Sequence, residues 1–243
     1  MTGPGVHFDW RQCAGVLFDL DGVITPTAEI HEHAWSALFA EYDYTEADYL
    51  TYIDGKPRYD GVRSFLASRG VTLPEGEPSD PPGESSVCAL GNRKNILFNT
   101  ILERDGIAPY PSSAATLDLL ADLDIPAAIV SSSKNARTVL TAADLGDRFD
   151  VVVDGIVAAT EGIAGKPAPD MFLHAASLLR VAPERTAVVE DAVSGVAAGA
   201  AGGFATVIGV DRGAGPEALS AHGATFVVAD LGELLGPTEG ALA

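Results

Sequence analysis

The sequence is poor in cysteine, in basic residues and in long apolar runs, and each shortage narrows the field. Cys13 and Cys88 are the two cysteines in 243 residues, with no CxxC spacing and no accompanying set of ligands. Neither a disulfide framework nor a structural zinc site is indicated, which fits a reducing cytoplasm. Lysine and arginine total 15 against 34 acidic residues, for a formal net charge of −19 and a pI near 4.4. Such a field repels nucleic acid and anionic lipid, so neither is an expected partner. It repels small phosphorylated ligands too, so a site for one needs locally concentrated cations. No run approaches the roughly 18 apolar residues of a membrane span. Met1 to Gln12 lacks the apolar centre of a secretion signal, and no repeat of solenoid period is present.

What remains is ordinary for a globular chain: 47% apolar and 20% charged residues, and a length that suits one domain or two small ones. The organising stretch is Val16-Leu17-Phe18-Asp19-Leu20-Asp21-Gly22-Val23-Ile24-Thr25. Ala14 to Phe18 reads as a buried parallel strand. Alternation along a strand puts Asp19 and Asp21 on one side and Leu20 on the other, and Gly22 permits the bend that follows. Paired acids at a strand's carboxyl end offer a nucleophile with a proton donor and acceptor beside it. An Asp-Gly turn capped by one acid is the plainer alternative.

Thr27 to Tyr42, Glu46 to Ile53, Tyr59 to Arg69 and Cys88 to Asp105 read as helices, the third stopped by Gly70. Leu73 to Ser86 holds four prolines and reads as a surface loop, a plain connector. From Tyr110 onward helices and strands alternate, with strands at Ala127–Val130, Val151–Val153, Ala187–Val189, Thr206–Val210 and Phe226–Val228. The expected fold is therefore α/β: a doubly wound parallel sheet, Rossmann-like, with an inserted α-helical segment. Residues 1–26 and 107–243 form the expected core and residues 27–106 the insertion.

The strand ends gather a coherent set. Strand two runs into Ser131-Ser132-Ser133-Lys134-Asn135, hydroxyls before a helix N-terminus, suited to phosphate or to simple capping. Lys166 precedes Pro167, which stiffens the backbone carrying it. Strand four ends in Glu190-Asp191, a second acidic pair whose repulsion with Asp19 and Asp21 a magnesium ion would relieve. Together these suit phosphoryl transfer through an aspartyl-phosphate. A G-x-S-x-G elbow, a P-loop and a G-x-G-x-x-G fingerprint after a strand are absent.

Asp19-Leu20-Asp21-Gly22, Ser131, Lys166 and Glu190-Asp191, in that order over nearly the whole chain, resemble the haloacid dehalogenase-like (HAD) superfamily. The resemblance implies Asp19 as nucleophile, Asp21 as general acid/base, and Ser131 and Lys166 holding the transferred phosphate. It implies magnesium on Asp19, Asp191 and the Asp21 carbonyl, with Glu190 a ligand directly or through water, and a helical cap closing over the rim. Within the superfamily, Gly22 to Thr25, Thr27-Ala28-Glu29, His31, Ala34-Trp35, Arg93-Lys94-Asn95, Ser133-Lys134-Asn135 and Lys166 to Asp170 are similar to the β-phosphoglucomutase-like subfamily. Pro26 departs from it, standing where an Asp is common. That likeness implies that Arg58, Ser133, Lys134 and Asn135 hold a second phosphate. His31 and Lys94 would contact the sugar or position Asp21, and Thr27 joins the substrate-binding set. The function implied is a cytoplasmic, monomeric, magnesium-dependent mutase converting β-glucose 1-phosphate to glucose 6-phosphate through a 1,6-bisphosphate. A phosphatase using the same aspartyl-phosphate is the alternative.

Overall fold

The computed structural model describes residues 8–53 and 56–235. Gly55, in the Gly55-Lys56-Pro57-Arg58 segment, and the outermost stretches of the expected core lie outside them. The chain divides after Pro26 and after Ile107 into two compact units.

The first unit is built on six parallel strands: β1 (Gly15–Phe18), β2 (Ala127–Val130), β3 (Val151–Val153), β4 (Thr186–Glu190), β5 (Thr206–Val210) and β6 (Phe226–Val228), in the order β3-β2-β1-β4-β5-β6. The strands are runs of apolar, often β-branched residues because both faces of the sheet are covered. β1 lies between β2 and β4, with Leu17 level with Ala128 on one side and Val188 on the other. Strand order reverses at β1, and open α/β sheets bind their ligands outside the carboxyl ends at such a point.

In the second unit, α1 (Thr27–Leu38), the short α2 (Glu46–Asp48), α3 (Arg58–Ser68) and α4 (Val87–Asp105) pack around Trp35, Phe39, Ile53, Phe65, Leu66 and Leu90. Five of the six tyrosines, Tyr42, Tyr44, Tyr49, Tyr52 and Tyr59, line this cluster, which accounts for their crowding in the sequence. Two expected helices end early. Beyond Leu38 the chain tightens into a 3₁₀ turn at Ala40–Tyr42, and α2 passes into a π-turn at Tyr49–Ile53. The loop after α3 is a surface loop as expected, but it is tied to α4 rather than loosely strung: Val87 and Cys88 donate their N–H groups to Pro74 and Glu75 carbonyls at 2.9 and 3.1 Å.

Around the sheet lie α5 (Pro111–Asp122), α6 (Ala136–Ala142), α7 (Gly155–Glu161), α8 (Asp170–Leu179), α9 (Val193–Ala201) and α10 (Pro216–Ala221). Met171, Phe172, Ala175 and Ala176 of α8 pack on Leu17, Ala128 and Val188. α7 follows β3 directly; Asp154 caps it, accepting from the N–H groups of Ile156 and Val157, and Gly162 ends it in the left-handed region.

Candidate active site

The nucleophile candidate is fixed by the sheet itself. Asp19 donates its N–H to the Val189 carbonyl at 2.9 Å, extending the β1–β4 ladder one residue beyond β1. The chain then turns sharply: the Leu20 carbonyl accepts from Ile24 and Thr25, and Gly22 donates to the Thr25 carbonyl at 2.8 Å. Gly22 has φ +82°, and a Cβ there would collide with the Asp191 carboxylate, so the position requires glycine on two counts.

Lys166 sits inside this rim with its side chain 4% exposed. Its ammonium donates to Asp19 Oδ1 at 2.5 Å, Glu190 Oε1 at 2.6 Å and the Val130 carbonyl at 2.9 Å, which uses all three of its protons. It also lies 5.0 Å from the Phe172 ring centroid. The Lys166–Pro167 bond is cis. Glu190 commits its other oxygen to the Ala192 N–H at 2.8 Å, so both of its oxygens have protein donors. Burial pushes the Asp19 carboxyl up to about 8, opposed by Lys166 and aided by repulsion from Glu190 and Asp21. Asp191 is raised well above the carboxylate range, first by burial and then by Glu190 and Asp19. On Lys166 burial acts downward, but Asp19 and Glu190 outweigh it and raise its pKa, so the ammonium stays charged.

Ser131 is buried at the end of β2 and donates from Oγ to Asp21 Oδ2 at 3.3 Å. The following hydroxyls brace the loop: Ser131 Oγ accepts from the Ser133 N–H at 3.0 Å, and Ser133 Oγ from the Asn135 N–H at 3.1 Å. Asn135 is buried and Lys134 exposed. The rim thus brings Asp19, Asp21, Ser131, Lys166, Glu190 and Asp191 together, with Ser133 bonded to Ser131 through its N–H.

The remaining candidates belong to the second unit, where His31, Lys94 and Arg58 form a group of their own. Lys94 is buried, its ammonium 2.6 Å from His31 Nδ1 and 5.1 and 5.0 Å from the ring centroids of Trp35 and Phe98. An ammonium can only donate, so Nδ1 accepts and the imidazole proton resides on Nε2. His31 stacks on Phe98 with centroids 4.4 Å apart, and burial, then Lys94 and Arg58, hold its pKa well below the usual value. Arg58 donates through Nη2 to Asn95 Oδ1 at 2.8 Å. Thr27 is the buried first residue of α1. Asn92, Tyr59 and Phe98, which shape this group, were not legible as site residues, because their partners lie far away in sequence.

Among the described residues no three Asp, Glu, His or Cys side chains converge as a metal cluster by themselves. The donors nonetheless fit a hard cation. They are all oxygen, the half-buried Asp191 carboxylate lies beside other acids with its pKa driven upward, and Gly22 leaves it room. Magnesium keeps several waters and needs only one or two carboxylates, and Asp19 and Asp191 are the ones that would hold it. Glu190, expected as a ligand directly or through water, accepts from Lys166 and from the Ala192 N–H.

A parallel α/β sheet with acids, a hydroxyl and a buried lysine at its switch point defines an enzyme of the phosphotransferase or phosphatase kind. The chain belongs to the haloacid dehalogenase-like hydrolase family, whose model matches residues 13–203. It is 49% identical over 237 residues to the beta-phosphoglucomutase of Mycobacterium bovis, covering 90% of each chain. It is 32% identical to hexitol phosphatase A of Escherichia coli, covering 79% of this chain and 81% of that one. The beta-phosphoglucomutase structure from Clostridium difficile matches with a TM-score of 0.73 and 25% identity, over 91% of this chain and 93% of that one. Among the described residues, no helix is long and apolar enough to cross a membrane.

Proposed function

We propose that the protein is a cytoplasmic, monomeric phosphosugar mutase that converts β-glucose 1-phosphate to glucose 6-phosphate, with residues 27–106 acting as a cap on the catalytic core. Asp19 carries the phosphoryl group as an acyl phosphate. Asp21 removes the proton from the C6 hydroxyl as its oxygen attacks phosphorus, and the P–O bond to Asp19 breaks. The resulting 1,6-bisphosphate turns over and rebinds; its C1 phosphoryl passes to Asp19, and Asp21 returns its proton to the departing C1 oxygen. Ser131 and Lys166 hold the transferring phosphate, Ser133, Lys134, Asn135 and Arg58 the other one. Thr27, His31 and Lys94 orient the sugar or Asp21. A magnesium ion held by Asp19, Asp191 and the Asp21 carbonyl would neutralise charge on the transferring group.

The observation that carries the mutase reading is the cationic pair in the second unit. In a chain of net charge −19, Arg58 and the buried Lys94 are kept there, with His31 and Asn95 as partners. A mutase must grip a second phosphate, whereas a phosphatase needs one phosphate and water. The 49% identity to a beta-phosphoglucomutase supports the same choice. The similarity to hexitol phosphatase A supports the second reading, in which Asp21 activates water instead.

The test is to supply Mg²⁺, β-glucose 1-phosphate and a trace of glucose 1,6-bisphosphate, and to follow glucose 6-phosphate and inorganic phosphate together. Glucose 6-phosphate without matching phosphate is the expected result. Phosphate release with no isomerised sugar replaces the mutase by the phosphatase.

A further inference from the structure

α4 carries two polar rungs on one face. Tyr59 donates from its hydroxyl to Asn92 Oδ1 at 2.9 Å, and one turn further on Arg58 donates to Asn95 Oδ1 at 2.8 Å. The spacing of three residues puts Asn92 and Asn95 side by side on the helix. Asn92 has no choice of orientation, because its amide donates to the carbonyls of Pro78 and Asp80 at 3.1 and 2.9 Å. Its Oδ1 is therefore left to accept from Tyr59.

The two accepting carbonyls belong to the proline-rich loop between α3 and α4. That loop is exposed over most of its length, yet it is held at several points. Gly83 donates to the Ala89 carbonyl at 3.1 Å, Ser86 Oγ to Asp80 Oδ2 at 2.7 Å, and Arg63 pairs with Glu75 while Arg93 pairs with Glu84. Prolines limit its alternatives further. Gly91 completes the arrangement: a Cβ there would collide with the Tyr59 ring and press on Arg58 Cδ. The first turn of α3 has no side-chain cap, and these rungs link its start to α4.

We infer that the Leu73–Ser86 loop, Asn92 and Tyr59 form a buttress that positions the Arg58 guanidinium, and are thereby specificity determinants for a substrate bearing a second phosphate. The inference deepens the mutase reading and rests on it. The loop is a rigid splint rather than a connector, fixing the Asn92 amide, which fixes the Tyr59 ring, which fixes the neighbouring arginine.

A double-mutant cycle tests it, with glucose 1,6-bisphosphate as the probe and the full chain as the enzyme. Arg58→Ala raises KM. Asn92→Ala removes one rung and raises KM by about three- to tenfold, more than it lowers kcat. The combined variant is no worse in KM than Arg58→Ala alone, since both act through one guanidinium. Should Asn92→Ala not fold, Tyr59→Phe removes the same hydrogen bond and carries the same expectation. If Arg58→Ala raises KM but Asn92→Ala and Tyr59→Phe do not, or if their effects multiply with it, the buttress is overturned and the mutase reading stands. If Arg58→Ala itself leaves KM unchanged, Arg58 grips no phosphate and the buttress falls with it, while the mutase reading stands or falls on whether glucose 6-phosphate forms without phosphate release.

Discussion

Arg212 donates its Nε–H to the carbonyl of Gly22 at 3.0 Å, joining residues 190 positions apart. The same guanidinium reaches the Ala229 carbonyl at 3.3 Å and Asp230 Oδ2 at 3.4 Å, and it lies 4.0 Å over the Tyr110 ring. It therefore fastens the turn that follows Asp21 to the loops beyond β5 and β6. Tyr110 also donates its N–H to the Ile24 carbonyl at 2.9 Å, and Ser113 Oγ bonds the Val23 carbonyl at 2.6 Å. The acidic loop is thus held from behind by groups that carry none of the chemistry.

Arg212→Lys is expected to lower kcat by about ten- to a hundredfold with a smaller change in KM, because small misplacements of reacting groups are costly. A lysine offers a point charge on a flexible stem and cannot reproduce the fork or its stacking on Tyr110. Steady-state kinetics beside a thermal melt decide the matter. A variant that loses melting temperature but keeps kcat would make Arg212 a structural clamp only.

Lys166→Met is expected to cost about 3–5 kcal/mol of stability as well as activity, because it strands the buried Asp19 and Glu190 carboxylates. Adding Glu190→Gln removes one of the two orphaned charges, so the double variant should be more stable than Lys166→Met. Denaturant unfolding of the two variants reads this coupling directly. Equal stabilities would show that Glu190 gains its proton or its solvation without Lys166.

The rim was legible because chemistry follows directly on each apolar strand: Phe18 into Asp19, Val130 into Ser131, Val189 into Glu190. A buried strand has a strong compositional signature, and its last residue has nowhere to point but the carboxyl edge of the sheet. α7 was not legible, since Gly155–Glu161 is seven residues long and too short for helical periodicity to show. Its only marks are the Asp154 cap and Gly162. The couplings of Arg212 to Gly22 and of Asn92 to the proline-rich loop were beyond reach for a different reason. Each joins segments whose sequences carry no trace of one another, and only packing creates the partner. The serines after β2 read as phosphate donors or caps, and the structure shows Ser131 and Ser133 also committing their oxygens to the loop's own N–H groups.

His31 should remain neutral across the physiological range. Burial is the main cause of its lowered pKa, with Lys94 next and Arg58 third. With the folded value below the unfolded one of about 6.5, the unfolded chain binds the proton first. The contribution to stability is present in full above that unfolded value and is lost as pH falls toward the folded one. Nitrogen chemical shifts of the imidazole, followed from about pH 7.5 downward, should show Nε2 protonated and Nδ1 accepting. Lys94→Met should move the titration upward. A His31 that titrates near its ordinary value of about 6.5 in the unmodified protein would contradict the buried Lys94–His31 pairing.

Gly195→Ala sets two effects of opposite sign against each other. Gly195 lies within α9, where alanine would gain about 1 kcal/mol from helix propensity alone. A Cβ at that position would overlap the Glu190 carboxylate, which is buried and held by Lys166 at 2.6 Å and by the Ala192 N–H at 2.8 Å. Overpacking of this kind costs about 1–3 kcal/mol. Displacing Glu190 also takes away one of the two carboxylates on Lys166, so the clash should prevail. The variant is expected to melt lower than its parent despite its better helix former, and to lose activity by about tenfold or more, because Lys166 would keep only Asp19 and the Val130 carbonyl as partners and be less tightly fixed. Gly146→Ala, where the nearest atom to a Cβ is 3.8 Å away, should stay within about 0.5 kcal/mol and serves as the comparison. A Gly195→Ala enzyme that melted higher and kept its turnover would mean that Glu190 can move at no cost, and that its bond to Lys166 does not hold the lysine in place.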